Sequence, residues 1–272
     1  ANYAGGVGQA IPYTTSGIAL MVIIDVALFG AIGLTIWAVQ MVWIPFWAAG
    51  VINGVGHYWG YRNFECPDAA TNISPWGILI GGEELHNNHH TYPNSAKLSQ
   101  KPWEFDIGWF WIRLFETLGL AKVRSTGPVA LKVPGKQTLD LDTAWAVVNN
   151  RFQVMAAYAE SVVKPLVEQE LHSTPRVVRK AKTALTRDES LVDDAGQHQI
   201  DELVSASPKI KTIYEFRQRL QGIWAKRGGN AEELLAALKQ WCQDAEATGI
   251  QALRDFVAEL RSYAMPQKSA TA

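Results

Sequence analysis

Apolar residues run almost unbroken from Gly17 to His57, and at 1.5 Å rise per helical residue about 20 residues cross the hydrocarbon core of a bilayer. That length predicts a transmembrane helical hairpin over about residues 17–58. The polar break near its middle is Gln40, with Trp37 and Trp43 on either side, so the turn is expected there, at an aromatic-lined membrane surface. A hairpin returns the chain to the side it left, which puts Thr15 and His57 on one face. Arg62, Lys97, Lys101 and Arg113 follow, and basic residues close to a span favour the cytoplasmic side.

Residues 58–77 carry Pro67 and Pro75 and predict a loop, after which Trp76 to His90 is expected to be helical. Glu104 to Leu120 has helical spacing at Trp109, Ile112, Phe115 and Glu116 and is expected to lie against the membrane surface. Gly127, Pro128, Pro134 and Gly135 mark a linker, residues 126–139. Beyond it, Asp140 to His172 is helical with a break expected at Pro165. Three further stripes follow: Ile213, Phe216, Leu220, Ile223 and Trp224; Leu234, Leu235, Leu238, Trp241 and Cys242; Leu253, Phe256, Val257 and Leu260. Asn230 with Glu233 resembles a capping box. The fold class is therefore all-α: residues 1–125 form a membrane-associated part and residues 140–272 a soluble helical tail.

Charge sharpens this division. Residues 1–60 hold a single charged side chain, Asp25, residues 61–120 hold eleven, and residues 121–272 hold thirty-nine. The formal net charge of -1 excludes a general nucleic-acid binder, and no nucleic-acid partner is expected. Cys66 and Cys242 are far apart and lack the spacing of a zinc, redox or iron–sulfur motif. No signal peptide opens the chain, which reads as truncated at its N-terminus.

Four of six histidines fall within 34 residues, at His57, His86, His89 and His90. On a helix, positions i, i+3 and i+4 share a face, so the last three would present their imidazoles together. Neutral imidazole is the commonest metal ligand among side chains. Asn53 and His57 have the same i, i+4 relation at the end of the second crossing. Asp25 faces a cost of about 2.5–3.5 kcal/mol if centred in a span; a turn at Gln40 would bring it level with Asn53 and His57, as a carboxylate partner. Glu83, three residues before His86, and Asp106 are further candidates to orient the rings. His172 and His198 stand alone in the charged tail. Arg176, Arg179, Lys180 and Lys182 form a basic stretch suited to anionic headgroups or acyl-CoA phosphates.

The run Asn53-Gly-Val-Gly-His57-Tyr-Trp-Gly-Tyr-Arg62, with Gly82-Glu83-Glu84-Leu85-His86-Asn87-Asn88-His89-His90-Thr91-Tyr92-Pro93, resembles the C-terminal half of the integral-membrane acyl-CoA desaturases. The likeness covers roughly residues 15–125. It implies that His57, His86, His89 and His90 ligate iron and that Asn53 acts through a metal-bound water, in a centre of two irons that uses dioxygen as co-substrate. Two earlier histidine clusters of that family have no counterpart in this chain, which implies an incomplete centre and an inactive fragment. The implied activity is insertion of a cis double bond into a saturated fatty acyl-CoA with two electrons from a separate electron-transfer protein, in a multi-pass protein of the lipid bilayer whose metal site and tail face the cytoplasm. The physical logic is that an unactivated methylene yields only to a strong oxidant made from dioxygen at redox-active iron, and imidazoles suit that metal.

Two rival readings remain open at the sequence level. One is a related membrane di-iron fatty acid or alkane hydroxylase. The other is a non-catalytic helical interaction protein with a remnant membrane part, in which the tail binds a partner or nucleic acid. Separately, the last two helices faintly resemble a helical region seen in some transposases.

Overall fold

Apolar residues with no competing polar contacts continue a helix until the backbone itself is made to turn. The computed structural model describes residues 7–225 and 230–266, and its first element, α1 (Val7–Phe29), ends at Gly30. Gly30 takes φ 61°, a left-handed conformation that costs glycine nothing. The next helix, α2 (Ala31–Pro45), folds back against α1. At Gly33 a Cβ would lie 2.2 Å from the Asp25 carbonyl oxygen, so only glycine permits this approach. The turn therefore lies at Gly30, not at Gln40, which sits inside α2.

Pro45 has no N–H to continue the α-helical ladder. The chain widens there into a π-helical stretch, Phe46–Ile52, and then a 3-10 turn, Val55–His57. Among the described residues, the run Ala31–His57 is the one helix long and apolar enough to cross a membrane, and Ser16–Phe29 is a shorter apolar helix. Leu28, Ile32 and Val42 are 69%, 70% and 67% exposed. Such surface has no partner within the protein.

The expected helix over 76–90 is much shorter. Trp76–Gly77 (β1) pairs in parallel with Phe105–Asp106 (β2), and only His86–Thr91 (α3) is helical. Glycines at 77, 81 and 82 and the Glu84 carboxylate, which accepts the N–H groups of Leu79 and Ile80, hold the intervening residues in turns. Helix α4 (Ile107–Thr117) buries none of its residues and exposes Phe110, Trp111, Leu114 and Phe115.

The segment 126–139 is more than a linker. Leu131–Lys132 (β3) pairs antiparallel with Tyr263–Ala264 (β4), and the Val133 N–H donates to the Ser262 carbonyl. The tail comprises α5 (Leu141–Asn149), α6 (Arg151–Tyr158), a π-helical stretch Ala159–Val163, α7 (Lys164–Leu171), α8 (Pro175–Thr186), α9 (Asp194–Ala206), α10 (Pro208–Ala225), α11 (Ala231–Ala247) and α12 (Gln251–Ser262). Pro165 lies in the first turn of α7, where a missing N–H costs little, and the break falls instead at Asn150. Asn230 caps α11 by accepting from the Glu232 N–H; no reciprocal bond from Glu233 completes a capping box.

The three stripes meet in one core. Tyr158, Phe216, Trp241 and Phe256 pack edge to face, the arrangement that ring quadrupoles favour. Their polar atoms are satisfied inside it: the Tyr158 hydroxyl donates to the Ile213 carbonyl and the Trp241 indole N–H to the Phe216 carbonyl. The molecule is mostly helical, with four short strands among the described residues.

Candidate metal centre

The histidines are held by amides on the opposite face of their own short helix. Asn87 and Asn88 are fully buried. The Asn87 side-chain oxygen accepts the N–H groups of Asn63 and Phe64, while its amide donates to the Phe64 and Ala70 carbonyls. The Asn88 oxygen accepts from the Asn63 and Asn72 amides, and its own amide donates to Glu104. Glu104 also accepts from the Tyr61 hydroxyl; burial, reinforced by this bond and the carboxylate's charge, pushes the phenol's pKa above its ordinary range. Every polar atom that fixes α3 to the loop 61–72 thus has a partner, and such networks rigidify.

The Arg62 guanidinium shapes that loop. It donates to the carbonyls of Asp68 and Ala70 at 2.7 Å each and to that of Cys66 at 3.1 Å. Wrapped around it, the loop presents Asp68 to the histidines.

His57, at the end of the run from α2, meets α3 head on. Its Nε2 lies 3.0 Å from Nε2 of His86. The ring of His90 is 4.3 Å from that of His86 and 5.2 Å from that of His57, centroid to centroid. One ring nitrogen from each of His57, His86 and His90 falls within 4.8 Å of the others. His89 stacks parallel to His86 at 6.2 Å and lies outside this group. Sequence spacing therefore groups the three α3 histidines, whereas folding joins two of them with His57.

The opposite ring nitrogens face carboxylates. Asp68 reaches Nδ1 of His57 at 3.6 Å and Nδ1 of His90 at 3.0 Å. Glu83 lies 4.0 Å from Nδ1 of His86 and 3.9 Å from Nδ1 of His89. Burial, reinforced by the neighbouring imidazoles, pushes the pKa of His86 down to about 4, so the ring is neutral at pH 7. Burial works against the Asp68 carboxylate, yet the Ala70 N–H and the imidazoles of His90 and His57 hold its pKa below the usual value.

These residues fit a metal. Two nitrogens at about 2.1 Å from one ion and at right angles to each other lie about 3.0 Å apart, the His57–His86 separation. The same distance is a hydrogen bond when one ring carries the proton. The carboxylates behind the rings match the usual way of fixing a ligand's tautomer. Nδ1 of His86 is buried without a hydrogen-bond partner, at the edge of Glu83's reach.

Three sequence candidates lie elsewhere. Asn53 is exposed and its amide donates to the Ala48 carbonyl at 2.9 Å; the π-helical stretch and 3-10 turn replace the continuous helix its i, i+4 relation to His57 required. Asp106 is the N-cap of α4, accepting from the Trp109 N–H, and it also accepts from Leu98 and Ser99, so its oxygens are spent on the backbone. Asp25 sits by the Gly30 turn, level with Gly33. Twenty residues of helix separate Gly33 from Asn53, about 30 Å at 1.5 Å per residue. Asp68 was missed because a loop carboxylate has no helical spacing to reveal it.

Comparison with known proteins gives matches of two kinds. The sn-2 palmitoyl-lipid 9-desaturase of Nostoc sp. (strain 36) is 43% identical over 88 residues, 32% of this chain and 30% of that protein. The sn-1 stearoyl-lipid 9-desaturase of Anabaena variabilis is 34% identical over 94 residues, 34% of each. The acyl-CoA 5-desaturase AL21 of Anemone leveillei is 38% identical over 96 residues, 35% of this chain and 30% of that protein. The chain thus spans about a third of the length of the curated relatives it matches. A family model described as a transposase matches residues 143–266, within the helical tail, a segment without the clustered histidines. No solved structure matches. Over about a third of its length the chain is thus similar to proteins named fatty acid desaturases.

Proposed function

We propose that residues 7–125 are the histidine-bearing part of a membrane fatty acyl desaturase and that His57, His86 and His90 hold iron, with His89 at the edge of the centre. The observation that carries this reading is the convergence of three ring nitrogens, with carboxylates behind them, in a segment similar to proteins named desaturases. Bound iron would supply the redox chemistry that couples dioxygen to oxidation of an unactivated carbon–hydrogen bond. The chain's own part is to keep the imidazoles neutral and aimed: Asp68 accepts from the outer nitrogen of His90 and stands 3.6 Å from that of His57, and Glu83 stands behind His86 and His89.

The product in this reading is a cis double bond in a saturated acyl chain, formed with two electrons from a separate carrier at a centre of two irons whose other ligands come from outside this chain. Relatives named for acyl-lipid and for acyl-CoA substrates both match; the acyl-CoA reading rests on the Asn53-to-His57 element. The exposed apolar surface of α1 and α2 supports a hairpin embedded in the bilayer, and the exposed aromatic face of α4 supports a helix on its surface, with the metal centre and tail on the cytoplasmic side.

A hybrid tests this, in which the matching stretch of the chain replaces its counterpart in the Nostoc relative. It should bind iron and yield unsaturated fatty acid, with both lost in His86→Ala. A hydroxylated product would favour the hydroxylase reading, and full activity of His86→Ala would overturn the assignment.

A further inference from the structure

An open cleft of about 1250 Å³ separates the histidine-bearing unit from the helical tail, with His57 on its wall. Eight basic side chains line it against two acidic ones, Glu65 and Glu160, although the whole chain carries a net charge of -1. A low-dielectric cleft lined by one sign of charge concentrates ligands of the other.

Half of these cations are engaged. Arg62 pairs with Glu65, Lys182 with Glu160, and Lys132 with Glu259. Arg217 is 1% exposed and donates through Nη2 to the carbonyls of Thr186 and Arg187, covering the negative end of α8 so that it does not repel an anion. The other four have no ion-pair partner among the described residues: Lys97 and Lys101 from the histidine-bearing unit, and Arg179 and Arg187 from the tail.

We infer that this cleft binds a compact polyphosphate group, gripped from one side by Lys97 and Lys101 and from the other by Arg179 and Arg187. Guanidinium forks match phosphate oxygens in pairs, and ammonium groups serve as point charges. The inference stands apart from the desaturase reading, since it needs neither iron nor a functioning histidine centre, and it gives the tail a part in ligand binding.

Isothermal titration of the detergent-solubilised, metal-free chain with inorganic tripolyphosphate tests it, with sulfate as the control for general anion attraction. Saturable binding at one site is expected. Loss of a charge-assisted contact at each position should weaken it at least about tenfold in Arg179→Gln/Arg187→Gln and in Lys97→Gln/Lys101→Gln. Arg176→Gln/Lys180→Gln, on exposed α8 positions outside the cleft, should leave it unchanged. Circular dichroism of each variant should match the parent. Absent binding, or equal losses in cleft and control variants, would overturn the proposal. Parallel arms with phosphatidylglycerol vesicles and duplex DNA distinguish the source: preferential capture of either, lost in the cleft variants, would replace a small ligand by a headgroup or a nucleic acid and contradict the inference.

Discussion

Asp68 bridges the outer nitrogens of two histidines, so Asp68→Asn should remove the charge that holds both rings while keeping the side chain's shape. Replacing such a partner typically costs 10–100-fold in metal affinity, and that loss is the expected result of an iron or cobalt titration. Asp106→Asn should instead weaken the α4 cap and lower overall stability without a selective loss of metal. Asp25→Asn should leave metal binding unchanged, since Asp25 lies at the hairpin turn; a selective drop in bound iron would show the two ends of α2 to be coupled. At this scale the sequence revealed residues whose partners are close along the chain. Glu83 was legible because it precedes His86 by three, whereas Asp68, Asn87 and Asn88 act across loop contacts of 11 to 25 residues that no periodicity records. The pair Asn87-Asn88 was the available signal: two amides between ligand-type histidines must face away from them, toward something that can satisfy four hydrogen-bonding groups.

Helix α5 begins at Asp140, which accepts the backbone N–H and hydroxyl of Thr143. The Thr143 N–H outweighs a small burial penalty and, with the Thr143 hydroxyl and Lys136, lowers the Asp140 pKa to about 2. Because the folded value lies below the unfolded one, this stabilisation is fully present above about pH 4 and is lost as pH falls through about 2. Asp140→Ala should therefore cost about 1 kcal/mol at pH 7, the usual worth of an N-cap, and the difference from the parent should vanish in acid unfolding titrations near pH 2. Elements with amphipathic stripes, α10 to α12, were legible because one face must be apolar to meet Trp241 and Phe256. The hairpin's turn was not. In a segment apolar throughout, a lone polar residue such as Gln40 fits inside a helix, while Gly30 and Gly33, the residues that set the reversal, look like two more small apolar positions.

The whole molecule joins two units through a segment that composition alone marks as a linker. β3 closes onto β4 at the far end of the tail, and Tyr92 packs its ring against Phe152 at 5.9 Å. A tail fragment starting at residue 128 should therefore be more stable than one starting at 137, by about 1–3 kcal/mol for the ladder and Lys136 contacts it keeps. Urea unfolding of the two fragments measures this, and equal midpoints would show the strand pairing to be incidental. Charge and hydropathy suggest a division at about 125, but they do not reveal this clasp, whose partners are over 120 residues apart. The central claim is that His57, His86 and His90 form one metal centre. Anaerobic titration of the purified chain with ferrous iron, followed by X-ray absorption at the iron edge, tests it most directly. One tight site with imidazole nitrogens near 2.1 Å is expected, lost in His57→Ala, His86→Ala and His90→Ala and retained in His172→Ala. Unchanged iron binding in any of the first three would contradict it.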